Sequence, residues 1–193
     1  MNPIQKTEIA AEHSVCVFCA SSNGNDPIFL EAAKALGEAI AERRWHLVYG
    51  GADVGLMGAM ADAALAHGGT VTGVIPRALT TREIAHRGLT QLIEVNSMHE
   101  RKAEMARRAG AFLVLPGGLG TLDELCEMLT WALLGIHDKP IVLINVAGYW
   151  EAFMGMLDAA VAAGFLRPAY RGISLLAPDA RAACDTVARF WRP

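Results

Sequence analysis

Short apolar bursts alternate along the chain with longer stretches whose apolar positions recur at helical spacing, and glycines mark most of the joins. The bursts at 15–20, 46–49, 71–75, 92–95, 111–115, 141–146 and 173–176 are too short for helices and read as strands. Those at 111–115 and 141–146 are apolar without alternation, the pattern of strands buried on both faces. Between them the spacing predicts helices at 27–42, 55–67, 98–109, 121–134 and 149–163, and a closing helix from Pro178. Asp26 and Ser97 stand where N-caps belong, and Gly68-Gly69 stands where a helix ends. Residues 77–90 are less regular and predict a loop with a short helix.

Strands that alternate with helices imply a parallel sheet covered on both faces, joined by right-handed crossovers. The expected class is therefore α/β, a single-domain, Rossmann-like, doubly wound parallel sheet flanked by helices. No repeat or linker interrupts residues 14–193, which read as one domain behind a polar, flexible segment 1–13. Ligands of such sheets sit beyond the carboxyl ends of the strands. That rule directs attention to Ser21-Ser22, Gly50-Gly51, Pro76 and Pro116-Gly117-Gly118.

Composition narrows the picture. The chain has 193 residues, 53% of them hydrophobic, enough for a sizeable core, and only 19% charged. A net charge of −3 argues against a general nucleic-acid binder but leaves room for a local anion site. No apolar run approaches the roughly 18–20 residues of a membrane span, and the first residues lack a signal peptide's apolar core. A cytoplasmic protein is expected. Cys16 and Cys19 form a CxxC inside a strand, where residues three apart face opposite ways, so reduced, packed thiols are expected. The six histidines are scattered without an HxxxH pair and suggest no metal site.

Two segments carry chemistry. The run 111–115 leads into Pro116-Gly117-Gly118-Leu119-Gly120-Thr121 and then directly into a helix. Free N–H groups and the positive dipole end make such a helix start an anion site, and phosphate is its natural occupant. The plain alternative is a tight strand-to-helix turn. Gly50-Gly51-Ala52-Asp53-Val54-Gly55 repeats the design at a second strand end. Thr121-Leu122-Asp123-Glu124 matches a capping box, which would turn Glu124 back to the helix start; the same place also suits a carboxylate that touches a bound sugar. Arg101 and Lys102 open the helix before the loop, where cations oppose the dipole. They belong either to a solvated basic face or to an anionic ligand.

Met98-His99-Glu100-Arg101-Lys102, followed at this spacing by Pro116-Gly117-Gly118-Leu119-Gly120-Thr121-Leu122-Asp123-Glu124, resembles the Lonely Guy family. These are cytokinin riboside 5′-monophosphate phosphoribohydrolases, long mislabelled as lysine decarboxylases. The resemblance runs from about residue 14 to residue 165 and includes Cys19-Ala20-Ser21-Ser22-Asn23 and Tyr49-Gly50-Gly51. It implies hydrolysis of the N-glycosidic bond of N6-modified adenosine 5′-monophosphates, and of AMP, to free base and ribose 5-phosphate. It implies Arg101 and Glu124 as the catalytic pair and Gly117, Gly118, Leu119, Gly120 and Thr121 as the phosphate loop. Lys102, Asp123, Thr130 and Glu83 fall where the family contacts its nucleotide. Met98 and Leu122 within the two motifs, and Ser21, Gly50 and Gly51 at the strand ends, complete the candidate substrate-binding set. Leu119 stands where tyrosine is common, and Asp123 where glutamate is common. The family further implies a homodimer and no cofactor, with helices around 98–105 and 125–134 offering apolar contact surface.

Two rivals stand beside this reading. A non-enzymatic nucleotide or cofactor carrier can use the same fold, since fold does not determine function. A carrier, however, has no need of a carboxylate beside the ribose. A pyridoxal-phosphate decarboxylase fits poorly, because none of Lys6, Lys34, Lys102 and Lys139 lies in a convincing cofactor pocket.

Overall fold

The computed structural model describes residues 13–80 and 85–192. Glu83 and nearly all of the expected free segment 1–13 lie outside the described residues. The strands are β1 (Ser14–Phe18), β2 (His46–Tyr49), β3 (Thr70–Pro76), β4 (Gln91–Val95), β5 (Ala111–Val114), β6 (Ile141–Ile144) and β7 (Ser174–Ala177). The helices are α1 (Pro27–Glu42), α2 (Gly55–Ala66), α3 (Arg77–Thr80), α4 (Met98–Arg107), α5 (Leu119–Leu133), α6 (Glu151–Ala162) and α7 (Ala180–Phe190). All strand pairs are parallel, in the order β4-β3-β2-β1-β5-β6-β7. The chain winds outward from β1 to β4, then crosses back and winds the other way from β5 to β7. This is the expected doubly wound α/β sheet, and its switch point lies between β1 and β5. Among the described residues no helix is long and apolar enough to cross a membrane.

Alternation along the strands builds a core on each face. Val15 and Val17 of β1, with Ala111 and Leu113 of β5, pack under α1, α2 and α7. Cys16 and Phe18, with Phe112 and Val114, pack under α4, α5 and α6. Cys16 and Cys19 are free thiols in opposite cores, as residues three apart in extended chain require. Caps read from the sequence are in place: Asp26 Oδ1 accepts from Ile28 N at 3.0 Å, and Ser97 Oγ accepts from Glu100 N at 3.1 Å.

Most element ends shift by one or two residues from the sequence pattern, and three shifts have a local cause that bears on the fold or the site. β1 ends at Phe18 rather than residue 20, because Ala20 N turns aside to donate to Pro116 O (3.2 Å). β6 ends at Ile144 and gives way to a 3-10 turn at Val146–Gly148, so α6 starts at Glu151 rather than 149. The third, the start of α5, shapes the site and is treated below.

The α1–α2 crossing depends on one glycine. A Cβ on Gly37 would stand 2.2 Å from Met60 O and 2.9 Å from Ala64 N, both backbone atoms of the facing helix. Neither atom yields without moving α2. Gly37→Ala is therefore expected to cost about 3 kcal/mol, the upper range for overpacking, and to lower the melting temperature by roughly 5–10 °C. Thermal unfolding followed by circular dichroism checks this; an unchanged or higher Tm would contradict the close crossing.

Candidate active site

The site is built at the switch point. Ser97 caps α4, and the Glu100 carboxylate reaches back to accept from Asn96 N at 2.8 Å. This secures the first turn of α4 and sends Arg101 toward the sheet edge. There Arg101 Nε donates to Val74 O of β3 (3.1 Å), and Nη1 lies 3.1 Å from Glu124 Oε1. On the remaining side stands Gly50, just beyond β2, where a Cβ would fall 1.9 Å from Arg101 Nη2. The guanidinium is thus held by a carbonyl, a carboxylate and a missing side chain. Its cost at a helix start is offset by Glu100 in the same turn and by Glu124 across the cleft.

Glu124 is a buried carboxylate, its side chain 9% exposed. Burial pushes its pKa up to about 7, against the pull of Arg101. Asp123 and Glu127 add to the rise, and Lys102 opposes it. The group is therefore poised to exchange a proton near neutrality.

The capping box expected from Thr121 to Glu124 does not form. α5 starts two residues earlier, at Leu119, with Gly118 as an N-cap that has no side-chain bond. Thr121 is buried beneath Gly117, where a Cβ would come within 2.1 Å of Thr121 Oγ1 and 3.0 Å of Ala20 N. The hydroxyl is therefore inside the first turn rather than ahead of it, and Glu124 is left to face Arg101. At Gly118 and Gly120 a Cβ would meet only open space, so the amino end of α5 is bare toward the cleft.

The cleft has a volume of about 390 Å³. Of the residues singled out by sequence, Ser21, Gly50, Arg101, Gly118, Leu119, Gly120, Thr121 and Glu124 line it. Others lie elsewhere. Lys102 is buried between α4 and α5, 2.9 Å from Asp123 Oδ2 and 3.1 Å from Glu127 Oε2. Burial alone would lower its pKa, but these two carboxylates carry it above its ordinary value. Lys102 and Asp123 thus act as a clasp between the helices that carry Arg101 and Glu124. Leu122 packs into the core, and Met98 is exposed outside the cleft lining. Thr130 is exposed, its hydroxyl donating to Cys126 O at 2.7 Å. Gly117 supports the loop from behind, and Gly51 (φ +77°) lies against Ile75 and Leu92. Met105, Leu125 and Met128, within the stretches considered for a dimer contact, are buried in this chain's own core.

Sequence reasoning missed the apolar wall of the cleft: Val17, Cys19, Ala52, Val54, Met57, Ile75 and Leu79. Most of these read as core positions, and only the second glycine loop pointed to Ala52 and Val54. It also missed Glu127, whose signal was its place four residues after Asp123 on one helix face. His86 is a further surprise. Its Nδ1 accepts from Gly88 N (3.0 Å), so Nε2 carries the proton donated to Asp62 Oδ1 (3.0 Å). With His86 N bonded to Gly51 O (2.9 Å), it fastens residues 86–88 to the loop that holds Gly50.

Residues 57–187 match the family model described as "Possible lysine decarboxylase". A cytokinin riboside 5′-monophosphate phosphoribohydrolase of Arabidopsis thaliana is 52% identical over 168 residues, 86% of this chain and 77% of the relative. A probable enzyme of the same name from Oryza sativa subsp. japonica is 50% identical over 166 residues, covering 86% of this chain and 73% of the relative. Among solved structures, the molybdenum cofactor binding protein of Rippkaea orientalis superposes with a TM-score of 0.69 at 18% identity, covering 93% of this chain and 96% of that one. The Moco carrier protein of Chlamydomonas reinhardtii also gives 0.69, at 24% identity over 91% of this chain and 95% of that one. At such identities these two structures show a shared fold alone.

Proposed function

The chain belongs to the Lonely Guy family of cytokinin riboside 5′-monophosphate phosphoribohydrolases, and on that premise we propose that its cleft hydrolyses the N-glycosidic bond of N6-modified adenosine 5′-monophosphates and of AMP. The products are the free base and ribose 5-phosphate. One observation carries the reading at the level of residues: the 3.1 Å Arg101–Glu124 pair and the bare amino end of α5 share a single cleft.

The 5′-phosphate sits at the N–H groups that open α5, where the helix dipole favours an anion. As the C1′–N bond lengthens, positive charge builds on the ribose ring, as in glycoside hydrolysis. The Glu124 carboxylate stabilises that charge and takes a proton from the water whose oxygen bonds to C1′. The electron pair of the C1′–N bond leaves with the base, and its nitrogen takes up one proton in balance. Arg101 holds Glu124 in place and keeps part of it ionised near neutral pH. Phosphate binding far from the reacting bond supplies the energy that positions C1′. The apolar wall at Val54, Met57, Ile75 and Leu79 offers a surface for the base. We extend the reading to residues 14–193 acting as one domain, in a cytoplasmic homodimer; exposed Met98, Leu134 and Ile136 are surface that a second copy can cover.

The test is base release from AMP and from N6-isopentenyl-AMP, followed by chromatography. Release of base with ribose 5-phosphate is expected from both. Adenosine, which lacks the phosphate, is expected to be a far poorer substrate. No release from either nucleotide would sink the proposal.

A further inference from the structure

Tyr149 lies outside every motif discussed so far, yet it touches the phosphate loop. Its Oη donates to Gly117 O at 2.6 Å. The turn that delivers it is unusual: Ala147 (φ 50°, ψ 30°) and Gly148 (φ +74°) are both left-handed, one of them at a residue with a side chain. A left-handed alanine costs roughly 1–2 kcal/mol. The surroundings hold it there. Asn145 O accepts from Gly148 N (3.2 Å), Val146 O from Tyr149 N (3.0 Å), and Asn145 Oδ1 from Trp150 N (2.9 Å). The phenol ring is wedged edge-on between Phe29, with centroids 6.0 Å apart, and Trp150, at 5.1 Å. A strained turn kept by this many contacts points to a use for the residue it presents.

The use follows from peptide geometry. A trans peptide unit is planar, and its C=O and N–H point in opposite directions. Tyr149 draws the Gly117 carbonyl to the rear of the loop, so the Gly118 N–H of the same unit is turned to the front. Among the described residues nothing in the chain accepts from that N–H. Gly117 and Gly118 have no side chains that resist a flip of this unit, so an outside restraint is needed to hold its orientation. We infer that Tyr149 is a positioning residue for phosphate: its hydroxyl sets the Gly117–Gly118 peptide so that the Gly118 N–H joins the donors at the start of α5. The inference rests on the reading of that helix start as the 5′-phosphate site.

Tyr149→Phe removes the hydroxyl and keeps the ring packing. Isothermal titration calorimetry with AMP, ribose 5-phosphate and adenosine separates the possibilities. The variant is expected to bind AMP and ribose 5-phosphate about fivefold to tenfold more weakly, the worth of one hydrogen bond. Its affinity for adenosine is expected to match the parent's. In turnover the loss appears in kcat/KM, with the pH dependence unchanged. Equal AMP affinity in variant and parent would overturn the inference and leave the proposed function standing. So would weakening of adenosine by the same factor, or a shift of the pH profile. A parent that binds AMP no better than adenosine would remove the phosphate site itself, and the inference with it.

Discussion

Glu124→Gln is expected to cut kcat/KM on AMP by roughly a hundredfold to ten-thousandfold while making the protein more stable at pH 8. The two effects share one cause. Glu124 is buried, and its carboxyl titrates near 7 instead of the ordinary 4.5. In the proposed reaction the ionised form acts as base, so kcat/KM should climb as pH rises through about 7 and then level off. For stability the sign is opposite. A folded-state pKa above the unfolded one gives stability that is fully present below about 4.5 and is lost as pH rises through 7. The loss approaches roughly 3 kcal/mol above pH 8. Glutamine keeps an oxygen for Arg101 and carries no charge to bury. The variant should therefore melt higher than the parent at pH 8, and the gap should nearly close by pH 4. Calorimetric melting at the two pH values, beside a base-release assay, checks both halves. Substantial activity in the variant, or a stability gap independent of pH, would refute the role given to this carboxyl.

Gly50→Ala should remove most of the activity without unfolding the protein. The added methyl carbon would lie 1.9 Å from Arg101 Nη2 and 3.2 Å from Met57 Sδ. Both are ends of flexible side chains bordering an open cleft, so they yield at small cost to stability. The guanidinium, however, leaves the place where Val74 O and Glu124 hold it. A misplacement of about 1 Å in a reacting constellation commonly costs about a hundredfold in rate, and that is the expected loss in kcat/KM. A second signature follows from charge. Arg101 pulls the Glu124 pKa down, so its displacement should move the rising limb of the pH profile to higher pH. Adding Arg101→Ala to Gly50→Ala should then cost little more, because both changes remove the same contact. Full activity in Gly50→Ala, or losses that simply add, would show that the glycine serves the backbone instead.

Much of this architecture was readable beforehand because strands and helices announce themselves by period. The unbroken apolar runs that became β5 and β6 are buried on both faces, and Asp26 and Ser97 cap the helices they were expected to cap. The start of α5 was misread because Thr-x-x-Glu is a local pattern, whereas Thr121 is packed beneath Gly117, whose backbone lies close to Ala20 of another segment. Lys102 and Asp123 stood beside the right residues in the chain, but a helix turns successive side chains by about 100°. That rotation placed Arg101 in the cleft and Lys102 in a buried clasp with Asp123 and Glu127.

The sequence by itself determined the alternation of strands and helices, the glycine loops at two strand ends and the residue types that meet there. Those depend on neighbours within a few positions, where steric and hydrogen-bond preferences act. The tertiary structure alone decided that Gly50 makes room for Arg101, that Glu124 is buried deeply enough to titrate near neutrality, and that Tyr149 reaches the carbonyl of Gly117 in the glycine loop. Each of these joins residues from separate crossovers of the sheet. Burial and close contact between distant segments exist only once the chain has packed, and no periodicity along the chain encodes them.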